Sequence, residues 1–478
     1  MEERKGFGSN FGFLMAAVGS AVGLGNIWGF PNKMGANGGF TFLIIYLILA
    51  ACCGIIVMIG ELALGRRTGK GAVGAYKALS KRFKWLGWLG ILSAFLILFF
   101  YCALGGYCIK YVVLNVGNLF NAGFGSNGLS GADVFGNFMS NQLESVIYGL
   151  IFVVLTMLVV MGGVGGGIEK VCSVGMPALF VALLICIIRA CTLPGAVDGL
   201  KYMFVPGWAL ANGIIEKAPN FFEVLSTAGG QMFFSLSLGM GIMITYGSYL
   251  DKKENLEKNA ILIIVMDTLV ALMAGLCVIP GRFALDPTGN LGGPSLLFVT
   301  MQNVFHNMGV VGPIFGILFY LLVVFAAISS SISLLEAVVA HFVDKARESG
   351  KGDKRKKYTL IAAAAVGVGA ILICADSLGG ASFAPWKLLG LETYSGWNDC
   401  WLDFFDMLSE GIMMPLGALL MSLMIGWELG PEIVKNECEA TPGHRMTSYG
   451  FFKICIRFIT PLCMLLVLYG QVCTFFGL

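Results

Sequence analysis

The sequence predicts an all-α polytopic membrane protein: eleven transmembrane helices in a five-plus-five repeat, an eleventh helix added, and helices 1 and 6 unwound. Three observations carry this. The chain is 57% hydrophobic and only 12% charged, against about 25% charged in soluble domains, and its mean hydropathy is +0.83. Eleven apolar stretches reach the roughly 20 residues that a helix needs to cross a bilayer. Two of them, five apart in order, are interrupted by glycine: Gly19-Ser20-Ala21-Val22-Gly23-Leu24-Gly25-Asn26 and Ser235-Leu236-Ser237-Leu238-Gly239-Met240-Gly241.

The first span, 11–35, follows a short charged stretch and lacks a cleavage-site pattern, so it reads as an integral helix rather than a removed signal peptide. Spans 40–65, 86–118 and 143–163 come next. The fifth, 170–193, has Gly167 and Pro177 about its start, which marks either a place to unwind or a plain loop-to-helix junction. The sixth, 223–250, carries the second interruption, and 258–281 follows. Residues 281–309, with Pro280-Gly281, Asp286-Pro287 and Gly292-Gly293-Pro294 at hand, read as a structured outer loop with short helices, a lid in outline. Spans 310–343, 358–377, 402–427 and 447–475 complete the set. Residues 1–478 thus form one unit, with halves 11–193 and 223–427 and an added 447–475. Direct similarity between the halves is weak, so the repeat rests on the breaks.

Those breaks carry the functional reading. Glycine costs about 1 kcal/mol relative to alanine inside a helix. In lipid, non-helical backbone persists only where it is buried in protein or lines a cavity. Interrupted spans at corresponding places in two halves point to a transporter's binding site.

Basic residues set the orientation. Twenty-two of the 31 Lys and Arg fall in alternate segments: Arg4 and Lys5, the 66–84 loop, Lys170, the 252–258 and 345–357 loops, Lys435 and Arg445. That side should be cytoplasmic, with the N-terminus inside, the C-terminus outside, and the chain multi-pass in the cell membrane. The net charge of +3 gives no sign of a nucleic-acid partner. Fourteen Cys make no CxxC pattern, and His306, His341 and His444 are scattered; the cysteines read as small core residues. No GxxxxGK[ST] motif supports ATP-driven transport. No Ser-His, HExxH or paired-carboxylate arrangement supports an enzyme, and no organic cofactor is expected.

Five motifs in order are shared with one family: Gly19 to Asn26 with Ile27-Trp28, Asn37-Gly38-Gly39, Gly60-Glu61 with Gly65-Arg66, Gln231 to Gly239, and Ser329-Ser330-Ser331. Over all eleven spans the chain resembles the neurotransmitter:sodium symporter family in its bacterial amino-acid branch. The resemblance implies that the five-plus-five repeat is inverted. It also implies alternating-access symport of sodium with an amino acid through a membrane-embedded monomer, with oligomers allowed. The competing class is a non-transporting amino-acid sensor or structural membrane protein on the same fold.

Physics and resemblance meet at the breaks, where a broken helix frees backbone N–H groups on one side and carbonyls on the other. The N–H groups of Leu24 and Gly25, with the Tyr101 hydroxyl, would face a substrate carboxylate. Carbonyls of Ala21, Phe234, Ser235 and Ser237 would face its ammonium. Monoamine members carry aspartate where this chain has Gly23, so an α-amino acid is favoured. Ile97, Tyr101, Phe234, Met240, Ser330 and Leu334 would line an apolar side-chain pocket, suiting a neutral aliphatic, sulfur-containing or aromatic side chain. Two sodium ions are implied, one among Ala21, Asn26, Ser235 and Asp267, the other among Gly19, Val22, Ala326, Ser329 and Ser330.

Asp267 lies in an apolar span, where a carboxylate is functional by default. Animal members have asparagine there and bind chloride nearby, so a fixed aspartate implies chloride-independent transport, with protonation after sodium leaves as a further role. Glu61 is expected to accept hydrogen bonds from backbone freed by the breaks, with proton coupling the alternative. For the inner gate the resemblance pairs Arg4 with Asp344, flanked by Phe7 and Tyr249. For the outer gate the family's arginine is replaced by Gly29. Lys33, one turn on, either reaches Asp406 or snorkels to the outer surface.

Overall fold

The computed structural model describes residues 7–286, 295–350, 354–390 and 399–476. Within them all regular structure is helical. Nine continuous helices are long and apolar enough to cross a membrane, and one pair bent by 46°, Asn10–Ala21 with Gly25–Ala36, makes a tenth. We call this pair α1a and α1b. The continuous spans are α2 (Phe40–Thr68), α3 (Leu86–Leu119), α4 (Gln142–Met161) and α5 (Val164–Cys191) in the first half. In the second half they are α7 (Leu256–Leu285), α8 (Gly309–Glu348), α9 (Arg355–Asp376) and α10 (Trp401–Leu429), followed by α11 (Tyr449–Thr474). The remaining expected span is present as α6a (Phe221–Ser235) and α6b (Ile242–Gly247). Each piece of α6 is too short to cross alone, as expected for an unwound helix.

Local chemistry explains both breaks. The Ser9 hydroxyl caps α1a by accepting from the Gly12 N–H at 2.9 Å, and helical dihedrals stop at Val22 (φ −74°, ψ 103°). Asn220 caps α6a by accepting from the Phe222 N–H at 2.9 Å. Beyond it the chain turns through the left-handed region three times, at Ser237 (φ 55°), Gly239 (φ 78°) and Gly241 (φ 73°). Glycine adopts that conformation without a Cβ clash, whereas serine there costs roughly 1–2 kcal/mol. The Ser237 hydroxyl offsets part of this by donating to the Ser20 carbonyl of α1a at 2.9 Å. The two breaks are therefore tied directly to each other.

The core sits around α3 and α8, which pack along each other. Within its apolar window α3 is 78% buried, whereas α5 is 28% buried and α4 and α11 are each 33% buried. The latter three are the peripheral helices, turned toward lipid, with Val174, Ile188, Leu143 and Leu462 among their exposed side chains. Helix α11 packs against α6a and α10, outside the two halves.

Most helix limits fall within a few residues of expectation, but two places differ. Helix α5 starts at Val164 through a π-helical turn, Val164–Glu169, and then runs unbroken through Pro177 to Cys191. The segment is thus not unwound here; the loop-to-helix junction is present, at Gly162-Gly163, a few residues before 170. Helix α7 continues through Pro280 and Gly281 to Leu285, so the outer loop is shorter than 281–309. Its described part contains the expected short helices, Leu296–Thr300 and Met301–Asn307, while Pro287 and Gly292-Gly293-Pro294 lie outside the described residues.

Candidate functional site

The break in α1 lies against the middle of α8. The Ser330 hydroxyl is 3.0 Å from the Ser20 carbonyl and 3.3 Å from those of Gly19 and Val22. The Ser329 hydroxyl is 3.0 Å from the Ala326 carbonyl and 3.4 Å from that of Val22. Carbonyls of Gly19, Val22 and Ala326 and hydroxyls of Ser329 and Ser330 therefore converge. All are hard oxygen donors, the set a hard cation prefers. Ser329 also bonds back to its own preceding turn, as serine within helices commonly does, so it serves helix and site together.

On the other side of the break, Asp267 of α7 is fully buried. Its carboxylate accepts from Asn26 Nδ2 at 2.7 Å, from Ser235 Oγ at 3.0 Å and from the Tyr46 hydroxyl at 3.5 Å. Asn26 Oδ1 accepts from the Gly23 N–H at 3.0 Å, which pins the side chain across the unwound turn. Among the described residues no ion pair compensates Asp267. A buried carboxylate is costly unless it is both paired and hydrogen-bonded; here three hydrogen bonds are present and, among the described residues, no basic side chain is. Tyr46 was not foreseen; an aromatic in an apolar helix gives no sequence signal.

Between these two oxygen clusters lies a cavity walled by Ser20, Ala21, Gly23, Gly25, Ile97, Tyr101, Phe234, Ser237, Met240, Ser330 and Leu334. Nine of these were expected from sequence; Ser20 and Gly23 join them, and Leu24 and Ser235 do not reach the wall. The wall contains no acidic or basic side chain. Its free volume is about 10 Å³, room for at most one water. The Leu24 N–H donates to the Tyr101 hydroxyl at 2.8 Å, and the Gly25 carbonyl accepts from Gln231 Nε2 at 2.7 Å. Gly23 is tightly enclosed: a Cβ there would lie 2.2 Å from the Tyr101 hydroxyl oxygen and 2.3 Å from Ser330 Oγ, so those side chains would have to shift.

Around the site the polar contacts differ in part from expectation. Glu61 of α2 accepts from the Gly239 N–H at 2.7 Å, the structural role foreseen for it. At the outer end Lys33 forms its ion pair with Glu410, not with Asp406. Asp406 stands beside Glu410 within hydrogen-bonding reach, so the expected Lys33–Asp406 pair is corrected to Lys33–Glu410. A side chain at Gly29 would meet Gln231, with Oε1 2.8 Å from the added Cβ, so the end of that glutamine would have to shift to admit one.

At the inner end Arg4 lies outside the described residues, while Asp344 accepts from the Gly71 N–H at 3.2 Å. Phe7 packs edge-on against Tyr246 and Tyr249. The Tyr249 hydroxyl donates to Glu336 at 2.7 Å, and Arg355 forks onto the same carboxylate at 2.5 and 3.1 Å. This buried Tyr249–Glu336–Arg355 cluster was missed from sequence, although an acid inside span 8 was a visible signal.

Broken helices around a membrane-embedded, oxygen-lined cavity define a secondary transporter, and the comparisons agree. The model of the sodium:neurotransmitter symporter family matches residues 4–120 and 135–477; the chain belongs to that family and is a multi-pass membrane transporter. It is 34% identical over 467 residues to an uncharacterized sodium-dependent transporter of Bacillus subtilis, YhdH, covering 96% of each chain. A Methanocaldococcus jannaschii relative, the uncharacterized sodium-dependent transporter MJ1319, is 32% identical, covering 91% of this chain and 84% of that one. Among solved structures, MhsT in complex with L-phenylalanine is 33% identical with a TM-score of 0.83, covering 98% of this chain and 100% of that one.

Proposed function

We propose that this chain imports a neutral, hydrophobic or aromatic α-amino acid together with sodium, without needing chloride. The observation that carries the reading is the cavity between the two breaks, with oxygen clusters on either side and no charged side chain in its wall. An α-carboxylate would replace the Tyr101 hydroxyl as partner of the Leu24 N–H and take the Gly25 N–H. Its ammonium would face the carbonyls ending α1a and α6a, those of Ala21, Phe234, Ser235 and Ser237. Gly23 supplies no side-chain carboxylate, which favours a substrate that brings its own. Phe234, Ile97, Met240 and Leu334 would receive the side chain, Met240 adapting to its shape.

In this reading sodium is cargo, not cofactor. One ion would sit among Ala21, Asn26, Ser235 and Asp267, the second among Gly19, Val22, Ala326, Ser329 and Ser330. The Asp267 carboxylate would supply the negative charge that chloride supplies elsewhere. A free volume of about 10 Å³ is too small for an amino acid, so the walls must part to load it. Sodium entering down its gradient would draw α1, α7 and α8 together around the loaded substrate. Opening of the Asp344 side, cytoplasmic by the basic-residue bias, would release it.

The test is uptake of a panel of labelled amino acids into proteoliposomes, with and without an inward sodium gradient and with chloride replaced by gluconate. Sodium-driven accumulation of apolar amino acids, equal in both anions, is expected. Accumulation abolished by chloride removal, or indifferent to sodium, would sink the proposal.

A further inference from the structure

Two neighbouring cavities distinct from the substrate cavity meet at one side chain, Trp88. The first, about 600 Å³, opens at the end of the molecule that carries the basic loops, between helix Ala72–Leu79 and the end of α8. Lys70, Lys77, Lys345, His341, Asp344 and Glu348 line it. Lys70 is engaged by Glu348 at 2.7 Å, and Asp344 receives the Gly71 N–H. Lys77 and Lys345 have no ion-pair partner among the described residues. The buried Nε2 of His341 also lacks a hydrogen-bond partner.

The second cavity, about 390 Å³, runs from Trp88 up the lipid-facing side between α3, α8 and α9. Leu92, Phe95, Phe342, Ile361 and Ala365 line it, and its surface is almost wholly apolar. Leu92 and Ile361 are 49% and 54% exposed, open to the bilayer. Trp88 is half exposed and held edge-on to the His341 ring at 4.6 Å between centroids; exposed amphipathic indoles of this kind mark the bilayer interface.

A cationic, partly sheltered chamber joined at the interface to an open apolar furrow has the shape and charge order of one molecule. We propose that this is a binding site for an anionic phospholipid of the cytoplasmic leaflet. The phosphate head group lies between Lys77 and Lys345, and an acyl chain runs along Leu92, Phe95 and Phe342. Basic pockets between helices on the cytoplasmic side recognise such head groups. The acyl furrow separates this site from one for a soluble phosphate. The site stands apart from the substrate cavity, so its test does not depend on which solute is carried.

Purified full-length protein in detergent is titrated with phosphatidylglycerol, phosphatidylcholine or glycerol-3-phosphate. Bound lipid is counted by native mass spectrometry and thermal midpoints are followed alongside. Phosphatidylglycerol should bind and raise the midpoint; the other two should not. Each lysine near the membrane surface is expected to contribute about fivefold to affinity, so Lys77→Gln with Lys345→Gln should weaken binding about 25-fold. Ala365→Trp, an exposed position in the furrow, should weaken it without touching the charges. Lys252→Gln with Lys253→Gln, exposed lysines elsewhere on the same side, should change nothing. Binding that survives the Lys77/Lys345 pair, ignores Ala365→Trp, falls equally with Lys252/Lys253, or is matched by glycerol-3-phosphate or phosphatidylcholine overturns the proposal. The unmodified midpoint without lipid reports whether each variant folds.

Discussion

Replacing Asp267 with asparagine keeps the shape of the side chain and removes its charge, which isolates the part this residue plays. In the structure the carboxylate accepts from Asn26 at 2.7 Å and from Ser235 at 3.0 Å. An asparagine offers one acceptor oxygen and turns a donor toward the other partner, so at least one charge-assisted bond is lost. Such bonds contribute about 1.5–3 kcal/mol, or about 10- to 150-fold in an equilibrium constant. Loss of attraction between the carboxylate and an adjacent sodium adds up to about 4 kcal/mol at roughly 4 Å and an effective dielectric of 20. The two losses together come to about 1.5–7 kcal/mol, so the sodium concentration for half-maximal uptake should rise at least about tenfold, with an upper bound of about 10^5-fold. Uptake by the Asp267→Asn protein should also become stimulated by chloride, since the negative charge is then mobile instead of built in. The assay is sodium titration of amino-acid uptake in proteoliposomes, in chloride and in gluconate. An unchanged sodium dependence in the variant would refute the reasoning, as would chloride dependence in the unaltered protein.

Three further outcomes follow from the same geometry. Gly23→Ala should cost about 1–3 kcal/mol of overpacking in the substrate cavity, because the added methyl meets both Tyr101 and Ser330; amino-acid affinity should fall about 5- to 150-fold while the detergent-purified protein keeps its elution profile. Lys33→Glu and Glu410→Lys should each impair uptake, and the double swap should restore part of it, whereas a Lys33/Asp406 swap should not; transport rates of the four proteins check this. Glu336→Gln removes the carboxylate that Arg355 forks onto, one that is 0% exposed, and breaking a buried pair costs about 3–5 kcal/mol. Its thermal midpoint should drop measurably, and Glu336→Gln with Arg355→Gln should recover part of the loss.

The spans were legible because a bilayer imposes a length and a polarity that composition alone reveals. The breaks were legible because glycine and serine are clustered at corresponding places in two spans: Gly239 and Gly241 do take left-handed dihedrals, and Ser329 and Ser330 do meet the α1 carbonyls. What escaped depends on rotation about helix axes and on partners distant in sequence. Asp406 and Glu410 lie four residues apart, so spacing alone cannot choose between them for Lys33. The π-helical stretch Met407–Met413 shifts the register between them, and no residue pattern announces such a stretch. Tyr46 touches the site from a helix whose apolar surroundings disguise it, and Gln231, visible at the head of a shared motif, needed the structure to show its bond to the Gly25 carbonyl. Glu336 is different, since its position in an apolar span was signal enough, but only the structure supplies Tyr249 and Arg355 as partners.

The central claim is that the paired breaks hold an α-amino acid only when sodium occupies the oxygen clusters beside it. Equilibrium binding of labelled phenylalanine to the purified protein, in sodium and in equimolar potassium, tests it most directly. The account predicts saturable binding in sodium, competition by other apolar amino acids but not by lysine or glutamate, and loss of binding in potassium. Binding of equal strength in both cations, or displacement by charged amino acids as readily as by apolar ones, would contradict it.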